Sequence, residues 1–280
     1  MIDRVAVVGL GLIGGSMGAA LRRQGRYVLG FDSDPAASEL ALRRGLVDAL
    51  GGDLEAALDG VEAVILAVPV LASLDLVRRV DALAASGVLI VDTGSVKRPV
   101  VEVMELLPGA ARALGGHPLA GKEESGPAAA APDLFDGRPF FLVPSARTSR
   151  ETVDRAEQLV RAVGARPVRM GAAEHDRLLA RTSHLPQLVS TALAICQEGV
   201  EARLAGPGLR DMTRLARSDV RMWRDIFVSN RDNVAEAAHH FLRELEGMIG
   251  VVEAADEAAL GLALERGRGA ARRLKEEAVV

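Results

Sequence analysis

Short apolar runs of strand length alternate with longer helical patterns over the first 170 residues. Residues 4–8, 27–31, 63–68, 88–91 and 140–143 are rich in Val, Ile, Leu and Phe with little polar alternation. That predicts buried strands of a mostly parallel sheet. Between them, 13–24, 35–44, 71–83 and 97–106 carry apolar positions at helical spacing, and 148–164 and 166–170 add a helix and a strand. Strand and helix alternating this often give an α/β doubly wound sheet. After Gly171 the period changes. Ala, Leu, Arg and Glu recur at helical spacing and no strand is predicted. Residues 174–204 predict one long helix that Pro186 kinks or splits. A Gly-Pro-Gly turn at 206–208 leads to helices at 209–217, 220–229, 231–253 and 256–273.

Composition narrows the partners. The longest apolar run, 63–72, is broken by Pro69 and is about half what a membrane-spanning helix needs, so no membrane partner is expected. There are 19 basic and 21 acidic residues up to Gly171 and 15 and 17 beyond it, so each part carries −2. With a pI near 5.8 and no basic block, no nucleic-acid partner is expected. The single Cys196 cannot form an internal disulfide, and no Cys/His set has zinc spacing, so the expectation is a reducing compartment and no metal. The apolar start is punctuated by Gly9, Gly11, Gly14 and Gly15, with Arg4 as its only basic flank. It reads as a strand rather than a signal segment, and the expected location is the cytoplasm.

Residues 5–16 (VAVVGLGLIGGS) place GxGxxG directly after a strand and at a helix start. Gly9 makes the tight turn, Gly11 lets the backbone approach a pyrophosphate, and Gly14 lets helix and strand pack closely. The phosphates meet the free N–H groups opening that helix, those of Leu12 and Ile13 included. Asp32, ending the second strand, suits the ribose hydroxyls; its other role would be a turn or helix cap. Ser33 and Asp34 follow it without a nearby cation, which favours NAD over NADP. Val68 and Pro69 after a further strand would line the crevice by analogy of fold. The expected architecture is a Rossmann NAD-binding domain over 1–171 followed by an all-α domain over 172–280. The apolar faces of the second suggest a homodimer.

The reactive group follows by elimination. The helical half has one lysine, Lys275, close to the last residue, and the sole tyrosine, Tyr27, opens a strand. Cys196 lies on an apolar helix face and reads as a small core residue. His239 and His240 lie among Ala and Glu as surface or packing residues. His117 stands in a Gly-Gly-His-Pro segment that reads as a glycine-rich loop able to approach a ligand. An imidazole titrating near neutrality suits removal of a hydroxyl proton. Ser95, in Asp-Thr-Gly-Ser after another strand, would reach the same sheet edge.

Residues 9–16 (GLGLIGGS), 92–97 (DTGSVK), 115–126 (GGHPLAGKEESG), His175-Asp176, 183–186 (SHLP) and 210–226 (RDMTRLARSDVRMWRDI) together resemble the prephenate dehydrogenase family. The resemblance runs in family order over nearly the whole chain. It implies NAD(P)-dependent oxidative decarboxylation of prephenate, or of its amino counterpart arogenate, in tyrosine biosynthesis. It implies that His117 engages the ring hydroxyl assisted by Ser95, and that Arg214 binds a substrate carboxylate. His184 and Trp223 fall at or near the pocket, while His175 and Asp176 match architectural positions. Gln187 stands where many prephenate-type members have histidine, which leaves keto-acid or amino-acid recognition open. Lys122 replaces a small hydroxyl residue; it would pair with Glu123 or Glu124 or add positive charge near the substrate. No fused mutase or regulatory domain is expected. The rival readings are a β-hydroxyacid dehydrogenase, whose helical-half lysine is lacking, an imine reductase, and a non-catalytic NAD-sensing module.

Overall fold

The computed structural model describes residues 2–122 and 124–276. Among them, strands β1 (Arg4–Val8), β2 (Tyr27–Phe31), β3 (Ala49–Leu50), β4 (Ala63–Leu66), β5 (Leu89–Asp92), β6 (Ala113–Pro118), β7 (Pro139–Pro144) and β8 (Arg166–Arg169) form one sheet. Its order is β3-β2-β1-β4-β5-β6-β7-β8. Every neighbouring pair is parallel except β6 with β7. Helices α1 (Leu12–Arg23), α2 (Pro35–Arg43), α3 (Leu54–Leu58), α4 (Val70–Leu83), α5 (Arg98–Glu105) and α6 (Arg150–Ala162) connect or flank the strands.

Both faces of the sheet are covered, which explains the near-continuous apolar strands. Along β1, Val5 and Val7 enter one core with Met17, Leu21 and Leu159. Ala6 and Val8 point through the pleat into the other, with Val77, Val80 and Met104.

Beyond Gly171 come α7 (Ala172–Leu179), a π-helical turn (Ala180–His184), α8 (Leu185–Ile195), α9 (Pro207–Met212), a 3-10 turn (Arg214–Arg217), α10 (Val220–Ser229), α11 (Arg231–Glu253) and α12 (Glu257–Glu276). The expected single helix over 174–204 is therefore interrupted twice. The π turn widens it just before Pro186, whose missing N–H falls in the first turn of α8, where no donor is needed. The chain then leaves helical geometry after Ile195. Cys196, expected in the core, is exposed at that end. The expected helix over 209–217 is α9 plus the 3-10 turn.

By its contacts the chain divides into Met1–Arg231 and Asp232–Val280. The change of pattern at Gly171 marks where strands stop, and α7–α10 stay in the compact unit of the sheet. In the second unit an ion pair of Arg266 with Glu244 joins α12 to α11. There Leu245, Met248, Ile249, Val252, Leu262 and Leu264 are exposed, and His239 and His240 lie at the surface.

Candidate active site

The strand order reverses about β1, with β2 on one side and β4 on the other, and doubly wound sheets bind ligands outside the carboxyl ends at such a point. Gly9 has φ +91°, and a Cβ there would lie 2.3 Å from the Ala67 carbonyl oxygen; one on Gly14 would lie 1.8 Å from that of Gly9. The fold itself demands both glycines. A Cβ on Gly11 would meet nothing within 4 Å, so that space is open for a close-lying phosphate. Gly11 opens α1 with no side-chain cap, and Leu12 and Ile13, half-buried, follow with first-turn amides that lack intrahelical acceptors. Asp32 accepts the Leu10 N–H at 2.7 Å and the Asp34 N–H at 2.9 Å, one on each carboxylate oxygen. The carboxylate is thus anchored to the glycine loop and keeps lone pairs for a ribose. Asp34, not Asp32, caps α2. Val68 lies against the Gly9 turn, and Pro69 precedes α4. This donor set and cradle fit NAD.

His117 lies in β6, a buried strand, rather than in the loop its glycines suggest. A Cβ on Gly116 would sit 2.6 Å from the Asp92 carbonyl oxygen, so close packing rather than turning explains that glycine. Lys97, with no exposed surface, donates through Nζ to Asp92 Oδ2 at 2.6 Å and to the Gly116 carbonyl at 2.7 Å. Asp92 Oδ1 accepts the Gly116 N–H at 3.2 Å. Burial holds the Lys97 ammonium below its ordinary pKa, with the Asp92 charge pulling the other way.

From His117 a buried chain runs into α7. Its Nδ1 is 2.9 Å from His175 Nε2, and His175 Nδ1 is 2.8 Å from Asp176 Oδ1. Asp176 also accepts the Lys97 N–H at 2.7 Å and the Arg98 N–H at 2.9 Å, the amides that open α5. Burial, then the neighbouring His175, Lys97 and His184, keep the His117 pKa well below the usual imidazole range. Burial lowers His175 against the pull of Asp176. For Asp176 burial opposes ionisation, but the hydrogen bonds from His175 and the two amides outweigh it and hold the carboxyl low. Near neutral pH the chain is two neutral imidazoles ending on a carboxylate. His117 makes no second ring hydrogen bond to the described residues, so Nε2 remains for a ligand.

A second cluster adjoins the first. His184 closes the π turn and is 1% exposed. Asn230 Nδ2 lies 2.8 Å from the Asp176 carbonyl and 3.1 Å from His184 Nδ1. Both amide hydrogens are committed, so Nδ1 accepts and Nε2 carries the hydrogen. Burial pushes the His184 pKa down to about 4; Asp176 pulls it up and His175 adds to the fall. Trp223 stands edge-on to His184, with ring centroids 6.0 Å apart. The Thr191 hydroxyl donates to the Gln187 carbonyl at 2.9 Å, so the Gln187 amide must turn its NH2 to Thr191. His184 Nε2, Trp223 Nε1 and Gln187 Oε1 are consequently two donors and an acceptor, buried and without a partner among the described residues. Each such group left unpaired costs about 1–3 kcal/mol, which a polar ligand would recover. Ser190 Oγ accepts the Ala216 N–H at 3.2 Å, tying the 3-10 turn of the exposed Arg214 onto α8.

Ser95 is half-buried in the loop that Asp92 and Lys97 clamp to β6, but makes no hydrogen bond to His117, whose Nδ1 is taken by His175. Lys122 is exposed, 3.4 Å from the Ala129 carbonyl; Glu123 lies outside the described residues. Asn230 carries no sequence signal because its partners are distant in the chain, whereas Lys97 stands five residues from Asp92 in the DTGSVK motif, which gave it no role. No group of three potential metal ligands occurs among the described residues.

Residues 17–169 match the family model of the prephenate dehydrogenase nucleotide-binding domain, and 171–265 match that of its dimerization domain. Prephenate dehydrogenase of Bacillus subtilis (strain 168) is 33% identical over 269 residues, 91% of this chain and 72% of that protein. Cyclohexadienyl dehydrogenase of Zymomonas mobilis is 31% identical over 256 residues, 88% of this chain and 87% of that one. The crystal structure of prephenate dehydrogenase from A. aeolicus in complex with hydroxyphenyl propionate and NAD+ aligns with a TM-score of 0.91 at 28% identity, covering 98% of this chain and 99% of that one. Synechocystis arogenate dehydrogenase aligns at 0.81 and 26% identity, covering 97% and 99%.

Proposed function

Because the chain belongs to the prephenate dehydrogenase family and is an NAD-dependent oxidoreductase, we propose that it converts prephenate to 4-hydroxyphenylpyruvate and CO2 in tyrosine biosynthesis. The observation that carries this reading is His117: a neutral imidazole held through Nδ1 at the carboxyl end of β6, with Nε2 left for substrate.

NAD, when bound on Gly9, Gly11, Leu12, Ile13, Gly14, Asp32, Val68 and Pro69, accepts the hydride. As hydride leaves the ring carbon bearing the hydroxyl, His117 Nε2 takes the hydroxyl proton. The bond to the ring carboxylate then breaks as CO2, its electron pair enters the ring, and the resulting phenolate oxygen recovers the proton from Nε2. The proton is borrowed and returned, so His117 must start and finish neutral. Ser95 is assigned to the substrate hydroxyl, Arg214 to a carboxylate, which its guanidinium grips bidentately, and Lys122 to added positive charge. The His184 Nε2–H and Trp223 Nε1–H are assigned to oxygen atoms of the substrate side chain. The helical domain is assigned to a homodimer in keeping with its exposed apolar side chains. An unpaired exposed thiol, Cys196, accords with the cytoplasm.

Gln187 favours a second reading. Its Oε1 is a buried acceptor, which suits the ammonium of arogenate, whereas a keto oxygen offers it no hydrogen. Initial rates of NADH formation with prephenate and arogenate, and with NAD and NADP, test both. Preference for prephenate supports the first reading; preference for arogenate moves the substrate to the amino acid with the same mechanism. No rate with either would favour an NAD-sensing module.

A further inference from the structure

We propose that His175 and Asp176 are positioning residues that set the tautomer of His117, keeping the hydrogen on its Nδ1 and the lone pair on its Nε2. This deepens, and rests on, the assignment of His117 as the base.

Asp176 is the anchored end of this chain of hydrogen bonds. Its two oxygens accept the Lys97 and Arg98 N–H groups at 2.7 and 2.9 Å, at the positive end of α5, where a carboxylate is favoured in ionised form. An ionised carboxylate only accepts, so the 2.8 Å contact requires the hydrogen on His175 Nδ1. A neutral His175 then has its lone pair on Nε2, facing His117 Nδ1 at 2.9 Å. The one hydrogen between these nitrogens belongs to His117, and its Nε2 is left as the acceptor that proton removal needs. Any other arrangement sets a lone pair against the carboxylate, sets two lone pairs against each other across the 2.9 Å contact, or adds a proton to one of the rings. A protonated His175 would donate to His117 Nδ1 and move the His117 hydrogen to Nε2, turning a base into a donor. The charged and titratable groups around the two rings are Lys97 and Asp92 from the β5–α5 segment, Asp176 on α7 and His184 in the π turn. Lys97 opposes a further positive charge on either ring.

The relay also explains why two adjacent helix residues serve one purpose. Asp176 fastens α7 to the start of α5, and His175 carries that fixed point across to β6. The second imidazole adds no charge of its own, so the imidazolium formed at His117 in the reaction faces a lone pair and, one residue further, a carboxylate.

The test compares His175→Leu with His175→Gln in the full-length protein, since a glutamine amide presents both a donor for Asp176 and an acceptor for His117 but does not protonate. With ¹⁵N-histidine labelling, the His117 nitrogen shifts report its tautomer without any substrate. The wild type is expected to carry hydrogen on Nδ1. The leucine variant is expected to lose that single state and to lower kcat by about 10²-fold or more, the scale for loss of general-base function, with NAD affinity retained. The glutamine variant is expected to keep the tautomer, to recover most of kcat, and to drop one ionisation from the acid limb of the pH profile. Hydrogen on Nε2 in the wild type, or an unchanged tautomer in His175→Leu, overturns the proposal. So does an equal fall in kcat in both variants. If neither prephenate nor arogenate is turned over, the proposed function fails, while the nitrogen shifts still decide the tautomer.

Discussion

Acidification should weaken the fold through His184 by an amount that follows from its surroundings. Its Nδ1 accepts from Asn230 at 3.1 Å, and the other Asn230 hydrogen is held by the Asp176 carbonyl. A proton on Nδ1 would therefore set N–H against N–H inside a site with 1% exposure. The pKa of about 4 in the fold lies below the ordinary 6.5. Between those values the unfolded chain binds a proton that the native one does not, so stability rises with pH across that window. The contribution is complete above about pH 6.5 and lost as pH falls toward 4, at about 1.4 kcal/mol per pH unit. At pH 5 the loss from His184 alone is about 2 kcal/mol, a large share of the roughly 5–15 kcal/mol that holds a domain folded. His117 and His175, also lowered, add in the same direction. Urea unfolding of wild type and His184→Gln at one protein concentration, from pH 7 to pH 5, measures the difference. The variant should lose about 2 kcal/mol less than the wild type over that range. Parallel slopes for the two would refute the reasoning.

His117→Asn should lower kcat by about 10²–10⁴ while leaving NAD affinity, measured by titration, near wild type. Arg214→Ala should act mainly on KM, raising it roughly ten- to a hundredfold, since a hydrogen bond to a charged group contributes about 1.5–3 kcal/mol. Gly11→Ala should leave the thermal midpoint nearly unchanged but weaken NAD binding, whereas Gly14→Ala should fail to fold or melt far lower, because its Cβ would overlap the Gly9 carbonyl. Lys97→Met should destabilise by about 3–5 kcal/mol in denaturant titration by leaving the Asp92 charge buried and unpaired.

The sheet was legible because strands buried on both faces write continuous apolar runs, and α1 because GxGxxG follows one of them. Strand β6 was not. Gly115, Gly116 and Pro118 read as loop chemistry, yet Gly116 is there because Asp92 and Phe140 leave no room for a side chain. The two-residue β3 and five-residue α3 are too short to show a period. His117 followed by elimination, and His184, Gln187 and Trp223 from their motifs; the structure joins His117 to Asp176 through His175 and His184 to Asp176 through Asn230, with Trp223 edge-on to His184. The part played by His175 was hidden for a geometric reason. Adjacent residues on a helix do not share a face, so nothing local announces that His175 reaches β6 while Asp176 fastens α5. Asn230 is 54 residues from Asp176 and 46 from His184, a separation that no local pattern spans.

The π turn at Ala180–His184 sets an angular phase. An α-helix advances about 100° per residue, so one residue more or fewer in that turn rotates everything beyond it by that angle about the helix axis. Upstream lie His175 and Asp176, proposed to govern where a proton sits; the turn closes on His184 and Gln187 follows in α8, both proposed to face the substrate's side chain. The extra residue of a widened turn aligns these halves as a phase shifter would, and shortening the turn by one would set them out of step without altering a single side chain in either. On those proposed roles, substitution along α8 can change which substrate is taken residue by residue, while the proton-handling half upstream stays where it is.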